Sequence, residues 1–126
     1  DGGLVPFGEG VPHPRYYGAF PRKIKRYVRE RDVLDLEAAL GSMTGLPASV
    51  LGIPERGVLR EGMVADLVVF DPERLSAPAT FMEPHRYAEG IAHVFVGGVA
   101  ALRDAHFTGA RAGRFLARAR FRSPAP

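Results

Sequence analysis

The sequence of 126 residues contains neither cysteine nor tryptophan. Without cysteine, the chain can form no disulfide bond and no thiolate metal site. Such a composition fits a reducing compartment, and we therefore expect a cytoplasmic protein. The sequence also lacks an apolar run near the roughly 20 residues of a membrane-spanning helix, and its first residues show no signal-peptide pattern. We expect no membrane partner.

Charge of neither sign dominates the chain, because 17 Lys and Arg residues stand against 14 Asp and Glu residues for a net charge of +3. Hydrophobic residues at 46% and charged residues at 25% are ordinary for a soluble globular protein. The basic residues cluster at 22–31 and again after 110, which permits a non-catalytic basic binding domain as one hypothesis. Few aromatic residues are interleaved among them, namely Tyr27, Phe115 and Phe121. We therefore favour a solvated helix face and expect no nucleic-acid partner.

The histidines show no metal-ligand spacing. All four are isolated in the sequence, at His13, His85, His93 and His106. The chain also contains no nucleophile elbow, phosphate-binding glycine loop or zinc-finger pattern. His93 lies in a predicted strand, where we expect a structural role. For His13, which lies between two prolines, a bond to the backbone and a site role both stay open.

The first half of the chain has helical signals after a long loop. Residues 1–19 are dense in glycine and proline, which predicts a loop. Phe20-Pro21 then predicts the start of a helix, because proline suits the first turn. Asp35 predicts the N-cap of a second helix over 36–43, which should end at Gly45. Pro47 predicts a third helix that Gly52 ends.

The second half has the alternation of strands. We expect a short strand after Gly57, a turn at Glu61-Gly62, and a buried strand over 67–70. Residues 91–103 predict a hairpin around Gly97-Gly98, and 113–122 predict a short basic helix. These strands are too few to complete a sheet of their own.

Two segments of the sequence carry a resemblance to a known family. The pattern Gly-x-Leu-x-x-Gly-x-x-Ala-Asp-Leu-Val-Val-Phe-Asp at 57–71 resembles the small β-domain near the C-terminus of amidohydrolase-superfamily enzymes. Asp1-Gly2, followed by His-Pro-Arg-x-x-Gly-x-Phe-Pro-Arg at 13–22, is similar to the N-acyl-D-amino-acid deacylase (D-aminoacylase) family. The resemblance extends to about residue 118.

The resemblance implies an α/β fold, the C-terminal portion of a (β/α)8 metal-dependent hydrolase barrel with strands of a small β-sandwich domain. Residues 1–54 would be the final loop and closing helices of the barrel, and 55–110 the sandwich strands. Residues 111–126 would be a basic tail. The implied partner is the N-terminal remainder of the same enzyme, which would carry the His-x-His metal ligands. The segment alone is expected to be inactive.

The resemblance also implies the reaction and two site residues. The reaction would be zinc-dependent hydrolysis of an N-acyl-D-amino acid to a carboxylate and a free D-amino acid, with one or two zinc ions bound mostly by ligands outside this segment. Asp1 would be the catalytic carboxylate, accepting a proton from the attacking water and passing it to the leaving amine. It is also a candidate metal ligand. Arg15 would bind the substrate α-carboxylate through its guanidinium fork.

Two alternatives remain. One is another amidohydrolase, such as a dihydropyrimidinase- or dihydroorotase-like cyclic amidase, although the segment from His13 to Gly18 argues against it. The other is the non-catalytic basic domain, which salt-dependent binding to DNA or RNA would reveal.

Overall fold

The computed structural model describes residues 5–116, in which helices come first and a sheet follows. The helical part contains α1 (Arg15–Lys23), a π-helical segment (Ile24–Glu30), α2 (Leu36–Met43) and α3 (Gly45–Leu51). The sheet contains β1 (Leu67–Phe70), β2 (Ile91–Val96), β3 (Val99–Arg103) and β4 (His106–Phe107). Within 5–116, no helix combines the length and apolar character that a membrane crossing needs.

The first helix begins earlier than predicted, at Arg15 instead of Phe20. Helical bonding starts here because the Tyr16 N–H donates to the His13 carbonyl at 3.0 Å, while Pro14 already has helical dihedrals. The helix is broken at Gly18, whose φ of −149° and ψ of 22° are not helical. Pro21 therefore lies in the first turn after a break, where its missing N–H costs little. The loop prediction for 1–19 is wrong beyond Pro14.

The second and third helices follow their capping signals. Asp35 is the N-cap of α2 as predicted, because its carboxylate accepts the Ala38 N–H at 2.6 Å. Gly52 ends α3 in the left-handed conformation, also as predicted. Gly45, however, is the first residue of α3 and does not end α2. The physical reason is that α3 begins directly after the Thr44 cap, which leaves no linker between the two helices.

The four strands form one antiparallel sheet in the order β1-β2-β3-β4. The predicted hairpin is confirmed, with Gly97 and Gly98 at φ values of 57° and 83° in the turn between β2 and β3. A second tight turn at Asp104-Ala105 adds β4, and both of its residues also have positive φ. No glycine marks this second turn, which is why sequence reasoning missed β4.

Two strand predictions are wrong in their details. Residues 57–60 form no strand, and the side chains of Val58 and Leu59 are 53% and 88% exposed. β1 is present but not buried, since Val68 is 56% exposed. A buried strand needs paired neighbours and a covered face. Within 5–116, residues 57–60 have neither, and β1 has one paired neighbour. The predicted turn is confirmed, because the Met63 N–H donates to the Arg60 carbonyl at 3.2 Å.

The predicted basic helix over 113–122 falls only partly within the described residues. Residues 113–116 are not helical, so the prediction is wrong for this part. A helix over this part would begin at Gly113, and glycine loses more backbone entropy on entering a helix than other residues do. The rest of the prediction, over 117–122, lies outside the residues that the structure describes.

The crossing segment, residues 71–90, connects β1 to β2 and packs across the first helix. A pair of backbone bonds between Ser76 and Glu89, at 3.1 and 3.0 Å, closes it into a loop. The Arg29 guanidinium donates to the Leu75 carbonyl at 2.9 Å. Ile24 of the π-helical segment and Leu75 are each 3% exposed. The small core therefore lies between the helical part and the crossing segment.

Asp66 connects the end of the helical part to the sheet. Its carboxylate pairs with the Arg56 guanidinium and also accepts the Gly97 N–H at 2.7 Å. The Gly98 N–H donates to the Ala65 carbonyl at 2.9 Å, next to this contact. The Ala-Asp-Leu pattern thus fixes the β2–β3 turn against the beginning of β1.

Gly90 offers a test of this packing. It has a φ of +83°, and a Cβ atom there would lie 2.6 Å from the Leu75 backbone nitrogen. Gly62 has a similar φ of +80° but open space around the same position. We expect Gly62→Ala to lower the free energy of unfolding by about 1 kcal/mol, the cost of the strained backbone alone. Gly90→Ala should cost about 3 kcal/mol, because a backbone clash is added.

The measurement is urea unfolding of the two variants beside the parent protein. Gly62→Ala is the matched control, because it carries the same backbone strain without the clash. Equal losses for the two variants would contradict the close approach of Gly90 to the crossing segment.

Candidate active-site loop

The loop before α1 is shaped by glycine and proline. The Glu9 N–H donates to the Pro6 carbonyl at 3.1 Å, and this turn is followed by Gly10 with a φ of +62°. Pro12 and Pro14 are buried, whereas the residues between Val5 and Val11 are exposed. The loop runs directly into Arg15, the predicted carboxylate ligand, which is the first residue of α1.

A single imidazole holds this loop. The Gly8 N–H donates to Nδ1 of His85 at 3.1 Å, and Nε2 of His85 lies 3.0 Å from the Gly10 carbonyl oxygen. The Tyr17 hydroxyl, on α1, also lies 2.9 Å from Nδ1. His85 belongs to the crossing segment, so one side chain joins three parts of the chain that are distant in sequence.

The hydrogen-bond donors around His85 determine its tautomer. A backbone N–H can only donate, so Nδ1 of His85 must be the unprotonated acceptor of the Gly8 bond. In the neutral ring, the proton is then on Nε2, which donates to the Gly10 carbonyl. The Tyr17 hydroxyl donates to the Nδ1 lone pair that Gly8 shares. All three contacts are therefore satisfied by one neutral form of the imidazole.

Aromatic rings surround the same histidine. Phe7 of the loop stacks on Tyr87 with a centroid distance of 4.8 Å and an interplanar angle of 26°. The Tyr17 ring meets Tyr87 edge to face at 5.6 Å, and Phe7 meets His85 edge to face at 5.6 Å. These four residues form what we call the aromatic cluster. Sequence reasoning gave His85 no role, because its partners lie 68 to 77 positions away.

His13 has a backbone role. Its Nδ1 accepts the Arg15 N–H at 3.1 Å, and its ring meets the Phe81 ring edge to face at 4.9 Å. The first of the two open interpretations, a loop histidine that bonds backbone, is therefore the one that the structure supports. Arg15 itself is exposed, with its backbone fixed by this bond.

Asp1, the predicted catalytic carboxylate, lies outside the described residues. Over the described range 5–116, no three His, Asp or Glu side chains are grouped closely enough to hold a metal ion. The remaining histidines support the β3–β4 turn: His93 accepts the Asp104 N–H at 3.2 Å, and Nδ1 of His106 lies 2.6 Å from the Asp104 carbonyl oxygen. The structural role predicted for His93 is confirmed.

Part of the basic helix face is used inside the protein. The Lys23 ammonium donates to the Ser42 hydroxyl at 2.5 Å and links α1 to α2. The Arg29 guanidinium is bound to the Leu75 carbonyl of the crossing segment. For Lys23 and Arg29, these contacts between elements replace the purely solvated role that we predicted for this face.

Comparison with known proteins defines the class. The sequence pattern of the amidohydrolase family matches residues 5–101. The D-aminoacylase of Alcaligenes xylosoxydans xylosoxydans is 47% identical over 107 residues, which are 85% of this chain and 22% of the relative. A dihydroorotase of Lactobacillus gasseri is 42% identical over 55 residues, which are 44% of this chain and 13% of the relative.

Solved structures agree with these sequence matches. A D-aminoacylase structure that concerns a binuclear metal centre superimposes with a TM-score of 0.80 at 47% identity, covering 82% of this chain and 22% of that one. An N-acyl-D-glutamate deacylase of Bordetella bronchiseptica, complexed with zinc and a phosphonate inhibitor, gives 0.71 at 49% identity over 72% and 19%.

The chain belongs to the amidohydrolase family, and its similarity to a D-aminoacylase extends over 85% of its length. It spans about a fifth of the length of the curated D-aminoacylase that it matches.

Proposed function

We propose that the chain is the C-terminal portion of a zinc-dependent deacylase that hydrolyses N-acyl-D-amino acids. The observation that carries this proposal is the 47% identity to a D-aminoacylase over 85% of the chain. Residues 1–54 would close a (β/α)8 barrel, and 55–110 would join a small β-sandwich. The exposed apolar side chains of β1 support this arrangement, because the remainder of the enzyme would cover them.

The described residues supply no metal site, so the zinc ligands other than Asp1 would come from the remainder of the enzyme. When bound, zinc would lower the pKa of a water molecule and polarise the amide carbonyl. The contribution of this chain would be acid–base chemistry and substrate binding. As a separate piece, it would have no activity.

Asp1 would accept the proton of the attacking water and then deliver it to the leaving nitrogen. An amine leaves poorly unless it is protonated, so the same carboxyl group would serve the two halves of the reaction in turn. The mouth of a (β/α)8 barrel, at the carboxyl ends of its strands, is where such groups are placed. Asp1 would also be a candidate zinc ligand through the same carboxylate oxygens.

Arg15 would bind the α-carboxylate of the substrate. A guanidinium presents two parallel N–H donors that match the two oxygens of a carboxylate. The helix start and the His13 bond fix the backbone from which this side chain extends. The position at the end of the glycine-rich loop would place Arg15 beside the barrel mouth.

The cyclic-amidase alternative has weaker support. Dihydroorotases match 44% of the chain at 42% identity or 63% of it at 33% identity, whereas the D-aminoacylase match covers 85% at 47% identity. Hydrolysis of an N-acyl-D-amino acid by the complete enzyme, with no activity on a cyclic amide, would decide between the two amidohydrolase functions.

The first prediction concerns Asp1 in the complete enzyme. Asp1→Asn should lower kcat by roughly 10²–10⁴-fold, because an amide cannot accept the proton of water. The fold and most of the metal content should be retained. Steady-state kinetics, together with metal analysis after dialysis, checks this expectation. Retention of more than about a tenth of the activity would remove Asp1 from the mechanism.

The second prediction concerns Arg15. Arg15→Ala should lower kcat/KM on N-acyl-D-amino acids by roughly ten- to a hundred-fold, the value of a charged hydrogen-bonded contact. Arg15→Lys keeps the charge but loses the fork, so its loss should be intermediate. Both losses should nearly vanish on substrates whose α-carboxylate is replaced by a neutral amide. Equal losses on the acid and amide substrates would show that Arg15 has only a structural role.

A further inference from the structure

His85 lies where the loop, α1 and the crossing segment meet. Its Nδ1 accepts from Gly8 and Tyr17, at 3.1 and 2.9 Å, and its Nε2 donates to Gly10 at 3.0 Å. The two loop contacts have opposite polarity and lie two residues apart. The imidazole therefore fixes both the position and the direction of the loop backbone at this point.

The part of the loop from Val5 to Val11 is exposed to solvent. Its side chains are largely exposed, with Phe7 at 54% and Val11 at 83%. Gly8 and Gly10 both have positive φ, and a Cβ atom at either position would meet open space. Glycine gives the unrestrained backbone many alternative paths. The Phe7 ring contacts with Tyr17 and Tyr87 restrain the same part of the loop. Closer to Arg15, the loop is held by the buried Pro12 and Pro14 and by His13. The imidazole of His85 supplies the side-chain hydrogen bonds to Gly8 and Gly10.

We propose that His85 is a positioning residue for substrate binding. By holding Gly8 and Gly10 from the crossing segment, and Tyr17 from the same nitrogen, it sets where the loop enters α1 and so where the Arg15 guanidinium meets the substrate carboxylate. His85 does not touch the substrate and acts only through Arg15. This inference rests on the proposed function. It means that His85, about 70 positions away in the sequence, helps to place Arg15.

Two substitutions of His85 with nearly the same shape serve as a matched pair for the test. Asparagine and leucine have nearly the same shape, but only asparagine can place an acceptor near the Nδ1 position. His85→Asn keeps an acceptor for Gly8 and Tyr17 and loses the reach to Gly10. His85→Leu keeps the bulk and loses all three bonds. A difference between these two variants therefore reports hydrogen bonding and not volume.

The experiment is steady-state kinetics of the complete, metal-loaded enzyme with an N-acyl-D-amino acid and with the matching neutral amide. We expect His85→Leu to raise KM for the acid about tenfold, the effect of leaving a polar group without its partner, with kcat changed less than about twofold. His85→Asn should raise this KM only about threefold. With the amide substrate, neither variant should change KM.

Two controls separate positioning from general stability. His93 also accepts a backbone N–H through Nδ1, from Asp104 at 3.2 Å, but it lies in the sheet. His93→Leu should lower the thermal midpoint without changing KM for either substrate. In an Arg15→Ala background, His85→Leu should have no further effect on KM, because the group that it positions is absent.

The outcomes distinguish the two proposals. Equal KM changes on the acid and amide substrates, or additive effects of His85→Leu and Arg15→Ala, would overturn the positioning role while leaving the proposed function intact. If Arg15→Ala itself fails to discriminate acid from amide, then the proposed role of Arg15 is what fails. If His85→Leu does not fold, His85→Asn and Tyr17→Phe still decide, since each should raise KM for the acid alone.

Discussion

The close approach of the crossing segment to α1 is the constraint on which the other contacts depend. Gly18 makes it possible, because a Cβ atom at this position would lie 2.6 Å from the Ala77 Cβ atom. Gly18 is also the residue where the helix breaks, so one small residue permits both the kink and the contact. With the segment seated here, Arg29 reaches the Leu75 carbonyl and His85 reaches Tyr17. A larger residue at 18 would disturb all of these contacts together.

The sheet leaves part of its apolar surface uncovered. β1 has only β2 as a neighbour within 5–116, and Val68 and Val69 are 56% and 46% exposed. Covering such side chains fully stabilises a protein by about 1.5–3 kcal/mol each. Asp66 nevertheless fixes the edge of this sheet to the helical part through Arg56 and Gly97. Polar contacts thus position β1, and under the proposed function the remainder of the enzyme would cover its exposed face.

Local signals in the sequence predicted local structure well. The Asp35 cap, the Gly52 helix end and the Gly97-Gly98 turn each depend on a few neighbouring residues, and each is confirmed. The failures depend on distant partners. Residues 57–60 have the composition of a strand. A strand also needs a second segment to hydrogen-bond with, and a local sequence pattern does not show whether that segment is present. The helix start at Arg15 was missed because Gly18 looks like a loop residue and Pro21 looks like the first turn of a helix, and the break at Gly18 explains both.

The candidate site shows the same division more sharply. The resemblance implies a carboxylate-binding role for Arg15 through the His-Pro-Arg motif, and this role stays a prediction. His85 also matches the family motif, but the positioning role that we propose for it comes only from the geometry. Its ring nitrogens meet Gly8 and Gly10 across 77 and 75 positions, and neither partner contributes a side chain. A site built on backbone contacts of this kind leaves almost no motif, since the partners are glycines whose N–H and carbonyl groups any residue would carry. For such sites, the placement of a binding group must be sought in the hydrogen bonds of the loop that leads to it.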